Sequence, residues 1–232
     1  MKDEFARVPD GEYFFSEASQ DFSNWTTGAF HKRLFDLLFS ISMMVAFAPL
    51  FFTIVILLKF MDNGPVIFAH KRIGKNGREF KCYKFRTMIM DADNVLEAVL
   101  KDSPEMRLEW LATRKLKDDP RIVPGIGHIL RSSSLDELPQ IFNVMFGDMS
   151  VVGPRPIVKD ELKYYGAQRV AYLSVRPGLT GPWQAGARSD TSYDERVALD
   201  LDYIRTGSLR RDLSIVAKTV WKLLSFNQRG AY

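Results

Sequence analysis

Asp136 and Glu137 stand side by side in "RSSSLDELPQIFN", residues 131–143, and two adjacent carboxylates allow a division of labour. One can attack phosphorus and form an acyl-phosphate, as carboxylate nucleophiles do in aspartyl-phosphate enzymes. The other can hold a magnesium ion, which takes oxygen ligands and shares itself with substrate phosphates. A helix start suits that chemistry, because its free N–H groups and its dipole favour anions. The same residues also fit a structural job. With Ser134 as N-cap, Glu137 stands three residues on, and Ser-x-x-Glu is a capping box. Pro139 disturbs that box, since its missing N–H leaves the Leu135 carbonyl without a helical partner. On this stretch alone both readings stay open.

A phosphate site needs cations to offset its charge. Arg131, Arg155, Arg176, Lys84 and Arg86 are the candidates. Arginine suits the task because its planar fork matches phosphate oxygens. In "GPRP", residues 153–156, two prolines fix the backbone on both sides of Arg155. Each motif has a structural alternative: a rigid turn with an incidental arginine, or a strand alternating Lys84, Phe85 and Arg86.

The elements around these residues begin with a membrane segment. Residues 37–58 carry no charge over 22 positions, which is enough for a helix to span a bilayer. Pro49 in its middle removes a backbone donor and predicts a break. His31, Lys32 and Arg33 precede the segment, and Lys59, Lys71, Arg72, Lys75 and Arg78 follow it. Cationic flanks favour the cytoplasm. A helix–break–helix that enters and leaves on one face keeps both flanks there, whereas a bitopic span exports one. Asp36 lies three residues after Arg33, a spacing that predicts a pair on one helix face.

Residues 1–29 lack periodicity and read as a loosely docked arm. "PVIFAHKRIG" and "REFKCYKFRTM" read as two strands joined by "GKNG". Helical patterns follow at 91–117, with a break at Pro104, at "LPQIFNVMFG", stopped by Gly147, and at "ELKYYGAQRVAYLSV". "VVGPRPIV" reads as a rigid turn and "RPGLTGPWQAGARSD" as loop. Two more helices fill the stretch from Ser192 to Phe226. The second is amphipathic, suited to the core or to a membrane surface through Trp221 and Lys222. The fold class is therefore α+β and mainly helical, with a short β-hairpin.

Composition narrows the partners. Net charge is +4 and the sequence pI is about 9.1, which favours anionic partners. Cys82 is the single cysteine and the three histidines are scattered, so neither a disulfide framework nor a Cys/His metal cluster is indicated. Aromatics and arginines are not gathered into a stacking platform, which argues against nucleic acid.

Taken in order, the motifs resemble one family. "HKRLFD", the Pro-broken apolar segment, "GPVIF", "YKFRTM", "SLDELPQ", "GPRP" and "RPGLTGPWQ" together resemble the bacterial sugar transferases, small monotopic polyprenyl-phosphate phosphoglycosyl transferases. The resemblance covers about residues 30–230. The arm and the ending "FNQRGAY" look most like the exopolysaccharide-initiating galactose phosphotransferases of rhizobial type.

The resemblance implies transfer of a sugar-1-phosphate from a UDP-sugar to undecaprenyl phosphate, releasing UMP by a two-step ping-pong route. Asp136 would be the nucleophile. Glu137 would help bind Mg2+ and the diphosphate. Arg131 would sit near the lipid phosphate, with Lys84, Arg86, Arg155 and Arg176 around the substrate. The implied organisation is an N-terminal arm (1–29), a re-entrant membrane helix broken at Pro49 (30–60) and a cytoplasmic catalytic domain with amphipathic interfacial helices (61–232). Location would be the bacterial inner membrane, with membrane lipid and a second copy of the chain as candidate partners. One departure stands out: many members carry Ser before the proline, and here it is Ala48. The alternatives are an anchored basic module without catalysis and a membrane phosphatase using Asp136 and water.

Overall fold

A computed structural model describes residues 23–26, 28–61, 64–113, 116–186 and 192–225. The predicted arm thus lies outside the described residues at 1–22 and 27, as does the ending "FNQRGAY". The chain forms two compact units. One comprises Met1–Ala46, Ala69–Tyr83 and Gln140–Gln228, the other Phe47–Phe68, Lys84–Pro139 and Arg229–Tyr232.

Helix α1 (Phe30–Met61) carries the apolar segment and gives its first half to one unit and its second half to the other. Its outer surface stays apolar and uncovered: only 11% of its most apolar window is buried. The expected division into two helices is not seen, since one helical element runs across Pro49. A proline removes a single helical hydrogen bond, and the turns on either side keep theirs. Just past it, the Thr53 hydroxyl donates back to the Pro49 carbonyl at 2.9 Å, turning a polar group inward on an apolar helix.

The first unit draws mostly on the sequence after residue 139. The expected hairpin forms from β1 (Ile67–Ile73) and β2 (Glu79–Phe85), with Asn76 and Gly77 at positive φ in the turn. Helix α5 (Gln140–Phe146) ends where predicted, at Gly147 with φ 91°. The two segments read as turn and loop instead contain a parallel pair, β3 (Ser150–Val152) with β4 (Gly178–Thr180), in register Ser150↔Gly178. Glycine is required there: a Cβ on Gly178 would lie 2.1 Å from the Gly153 nitrogen. Helices α6 (Arg169–Ser174), α7 (Pro182–Ala185), α8 (Tyr193–Thr206) and α9 (Leu209–Leu224) complete the unit. Its main core joins Phe80, Cys82, Val144, Met149, Val151, Val152, Tyr203 and Ile215. Helix α9 gives one of its sides to the core. Ile215 faces this core, while Leu213, Val220, Trp221 and Leu224 remain exposed.

A buried charge network joins the start of α1 to this core. Lys32 Nζ lies 3.1 Å from Asp36 and 2.7 Å from Asp212. Asp36 also accepts from the Val151 amide and the Ser150 hydroxyl, both at 3.0 Å. Asp212 accepts from the Tyr203 hydroxyl at 2.6 Å and the Trp25 indole at 3.0 Å. The predicted Arg33–Asp36 pair is therefore replaced by Lys32–Asp36. Arg33 instead donates to the Val144 and Met145 carbonyls at 2.6 and 2.7 Å, satisfying the C-terminal end of α5.

The second unit packs Ile54 and Leu58 of α1 against Phe85, Val123, Ile126 and Leu130. Helices α2 (Ala92–Asp102) and α3 (Pro104–Thr113) break at Pro104 as expected. The "DDPRI" segment pairs with the chain leaving β2: the Ile89 amide donates to Arg121 O at 2.8 Å and the Val123 amide to Thr87 O at 2.9 Å. Arg121 forks onto Asp119 and stacks over Trp110, 5.0 Å from the ring centroid. This ties the strand that carries Lys84 to α4 (Ile126–Ser133), the helix that leads into the acidic pair.

Candidate active site

Asp136 and Glu137 occupy a single 3-10 turn, Leu135–Glu137, directly after α4. A 3-10 turn repeats every three residues, so Leu135 and Leu138 share one side. Both pack onto the Ile54–Leu130 core, which directs the two carboxylates to the opposite side. The proline conflict is resolved by the same geometry. The Leu135 carbonyl accepts from the Leu138 amide at 3.2 Å, so the missing N–H of Pro139 leaves nothing unsatisfied.

The capping box is not formed. Ser134 adopts the left-handed conformation, φ 59° and ψ 17°, as the residue directly after α4 and makes no side-chain cap. A non-glycine residue in that region carries strain of about 1–2 kcal/mol. It turns the chain sharply between α4 and the acidic turn, leaving the Glu137 side chain to reach elsewhere.

Glu137 reaches Lys84. The ammonium of this β2 residue lies 2.6 Å from Glu137 Oε1 and 3.5 Å from Asp136 Oδ2, so one cation holds both carboxylates. The Asp136 side chain is 14% exposed and that of Glu137 29% exposed. Burial pushes the Asp136 carboxyl up to about 6, helped by the neighbouring Glu137 charge and opposed by Lys84 and Arg131. The pair is therefore differentiated: a desolvated carboxylate of raised basicity beside a more exposed one in tight contact with an ammonium. A desolvated carboxylate is the better nucleophile, and the exposed one is the better cation ligand.

The other predicted residues fall in definite places. Arg131 is exposed on α4, five residues before Asp136, and its charge acts on both Asp136 and Asp119. Arg86, the residue directly after β2 and two beyond Lys84, is buried and packs on Gly64, where a Cβ would sit 1.7 Å from its Nη1. Arg155 and Arg176 belong to the first unit. Arg155 is exposed, with its guanidinium 5.7 Å from the Trp183 ring centroid. Arg176 donates from Nε to the Gly147 carbonyl at 2.7 Å. The structure thus brings Asp136, Glu137, Lys84 and Arg131 together within the second unit. Sequence reasoning missed Asp119, Arg121 and Trp110, which brace this site; the aspartate–proline–arginine run is its only local signal.

Among the described residues no group of three or more His, Cys, Asp or Glu side chains is placed to hold a metal. The oxygen donors of Asp136 and Glu137 still fit magnesium, which is held by one or two carboxylates together with substrate phosphates rather than by a full protein cage.

Residues 27–226 match the family described as bacterial sugar transferase. The chain is 50% identical over 193 residues to "Exopolysaccharide production protein ExoY" of Sinorhizobium fredii, covering 83% of this chain and 85% of that one. It is 45% identical over 203 residues to "Undecaprenyl-phosphate galactose phosphotransferase" of Salmonella typhimurium, covering 88% of this chain and 42% of that longer protein. It is 38% identical over 202 residues to "UDP-glucose:undecaprenyl-phosphate glucose-1-phosphate transferase" of Caulobacter vibrioides, covering 84% and 70%. With the acidic pair, its lysine and the motif order in place, the chain belongs to the bacterial sugar transferase family.

Proposed function

We propose that this chain is a membrane phosphoglycosyl transferase that moves galactose-1-phosphate from UDP-galactose to undecaprenyl phosphate, releasing UMP, as the first membrane step of exopolysaccharide synthesis. The observation that carries the reading is the Asp136–Lys84–Glu137 cluster, in which burial raises one carboxyl and a lysine holds the pair. An Asp136 oxygen attacks the sugar-bearing phosphorus. The P–O bond to UMP breaks, and a phosphosugar-aspartate remains. An oxygen of undecaprenyl phosphate then attacks that phosphorus, the bond to Asp136 breaks, and the carboxylate is restored. Lys84 offsets charge as it builds on the phosphoryl oxygens, and Arg131 faces the lipid phosphate. Mg2+, held through Glu137, would neutralise the diphosphate.

Galactose is favoured by the names of relatives. The galactose phosphotransferase of Salmonella is 45% identical, the Caulobacter glucose-1-phosphate transferase 38%. A panel of UDP-sugars with undecaprenyl phosphate and magnesium, read as UMP release, tests this. UDP-galactose is expected to turn over fastest; equal or faster release from UDP-glucose would refute the galactose assignment.

The reading extends to topology. Near one end of α1, Lys32, Asp36 and Ser40 are buried in the first unit, and near the other Ile54 and Leu58 are buried in the second. Among the described residues only α1 is long and apolar enough to cross a membrane. The cationic residues at both ends of the apolar segment, His31, Lys32 and Arg33 and then Lys59, Lys71 and Arg72, favour one side; on this reading α1 bends at Pro49 and enters and leaves on that face, with its exposed apolar surface in the lipid. The face is the cytoplasmic face of the inner membrane. Single cysteines at His31 and Lys71 in a Cys82→Ser background should both resist an impermeant thiol reagent in intact cells. Labelling of one of them from outside would mean a bitopic span.

A further inference from the structure

Glycine at position 127 is needed for closeness rather than for conformation. It lies in the first turn of α4, and its amide donates to Val123 O at 3.0 Å. A Cβ there would lie 2.9 Å from the Thr87 carbonyl oxygen and 2.7 Å from Ile122 Cγ2. Carbon atoms settle at about 3.5–4.0 Å, so even a methyl group would push α4 away by on the order of 1 Å. Alanine is the better helix former, so helix propensity gives no reason for a glycine.

Neither side of this contact yields easily. The Thr87 carbonyl is main chain and accepts from the Val123 amide at 2.9 Å. Its segment is clasped by Arg121. The Ile89 amide donates to Arg121 O at 2.8 Å, and the Arg121 guanidinium forks onto the buried Asp119 at 2.8 and 2.6 Å. On α4, Ile126 and Leu130 are sunk in the core that also holds Phe85.

Both sides of the contact run directly into the acidic site. Thr87 stands three residues after Lys84, on the segment that leaves β2. Helix α4 passes through Ser134 into the turn of Asp136 and Glu137. The Ser134 amide donates to Arg131 O and the Glu137 amide to Ser134 O, both at 3.2 Å, so the turn moves with the helix. The Lys84 ammonium reaches the two carboxylates, at 2.6 and 3.5 Å, across the gap so defined. All of these residues belong to the second unit.

We propose that Gly127 is a positioning residue: its missing side chain lets α4 lie against the Thr87 main chain, and that approach sets the separation at which Lys84 holds Asp136 and Glu137. The kinetic consequence rests on the reading above that Asp136 attacks phosphorus; the spacing itself does not.

Gly127→Ala tests it with two readouts. The first needs no turnover. Melting temperatures of Lys84→Met, Glu137→Gln and the double variant give the coupling between lysine and glutamate, about 1–3 °C for a partly exposed pair. In the Gly127→Ala background that coupling should vanish. The second is the rate of the UMP burst at saturating UDP-sugar. Gly127→Ala should slow it about 10- to 100-fold, as a misplacement of about 1 Å does, although it removes no group that touches substrate. Within the Lys84→Met background the same change should slow it at most about twofold, because the contact it disturbs is already gone. Should Gly127→Ala fail to fold, Arg121→Lys takes its place. It keeps the charge, loses the fork onto Asp119, and should weaken the coupling and slow the burst by a smaller factor. A coupling of native size in the folded variant would overturn the proposal, as would the absence of any coupling in the native protein. Equal slowing by Gly127→Ala with and without Lys84 would make its role general packing and overturn it too. A native protein without a burst would refute attack by Asp136, and the coupling alone would then decide the spacing.

Discussion

Asp136→Asn should abolish sugar-phosphate transfer, by on the order of 10⁴-fold or more, and yet make the protein more stable above neutral pH. The kinetic half follows from the amide being a far weaker nucleophile of nearly the same shape. The stability half follows from linkage. The folded-state value of Asp136, about 6, lies above the ordinary 3.8, so the folded protein holds the proton more tightly. Stability from this group is complete below about pH 4 and is lost as pH rises to about 6. The full loss is about 3 kcal/mol, taking about 1.36 kcal/mol for each pH unit between the two values. Asparagine does not ionise and escapes it, while Lys84 keeps Glu137 as its partner. Melting curves of both proteins in detergent should coincide near pH 4 and separate by several degrees at pH 8, with the variant higher. A variant less stable than the native protein at pH 8 would mean that the Lys84–Asp136 contact outweighs the desolvation of the carboxylate.

Lys32→Met should be the most damaging single change away from the acidic pair. Lys32 lies between two buried carboxylates, Asp36 and Asp212, with side chains at most 5% exposed. Removing the cation leaves both without their counter-charge, a loss of about 3–5 kcal/mol. For a chain of this size that lowers the melting temperature by on the order of 10 °C. Asp36 also holds the Val151 amide and Ser150 hydroxyl, so the damage should reach the β3–β4 pair and loosen the start of α1. Adding Asp212→Asn should restore part of the loss, since one of the stranded charges is gone. Thermal melts of the single and double variants decide it. A single variant within about 1 kcal/mol of native stability would show that the network is solvated in the working protein.

The elements legible in the sequence are those with local causes. The hairpin was marked by two alternating strands around "GKNG", the end of α5 by Gly147, and the α2–α3 break by Pro104. The β3–β4 pair had no such cause. Its strands are three residues long and gain their partners 28 residues apart, through glycines that read as loop. Ser134 misled for a physical reason, because serine is a good N-cap and nothing nearby announces that it must turn left-handed. The acidic pair was visible as a pair, but its differentiation was not. Lys84 stands 53 residues before Glu137, and the burial that raises Asp136 depends on the fold. Asp200 and Asp212 were invisible because acids on amphipathic helices ordinarily face water, and these two face a tyrosine and a lysine.

The central claim is that Asp136 carries the phosphosugar. Purified protein in detergent, incubated with magnesium and UDP-galactose labelled in the sugar but without undecaprenyl phosphate, should release UMP in a single burst and become labelled. Proteolysis and mass spectrometry should place the label on Asp136, and adding undecaprenyl phosphate should discharge it to lipid. Label on Glu137 or elsewhere, or UMP release that requires the lipid phosphate and leaves the protein unlabelled, would contradict the account.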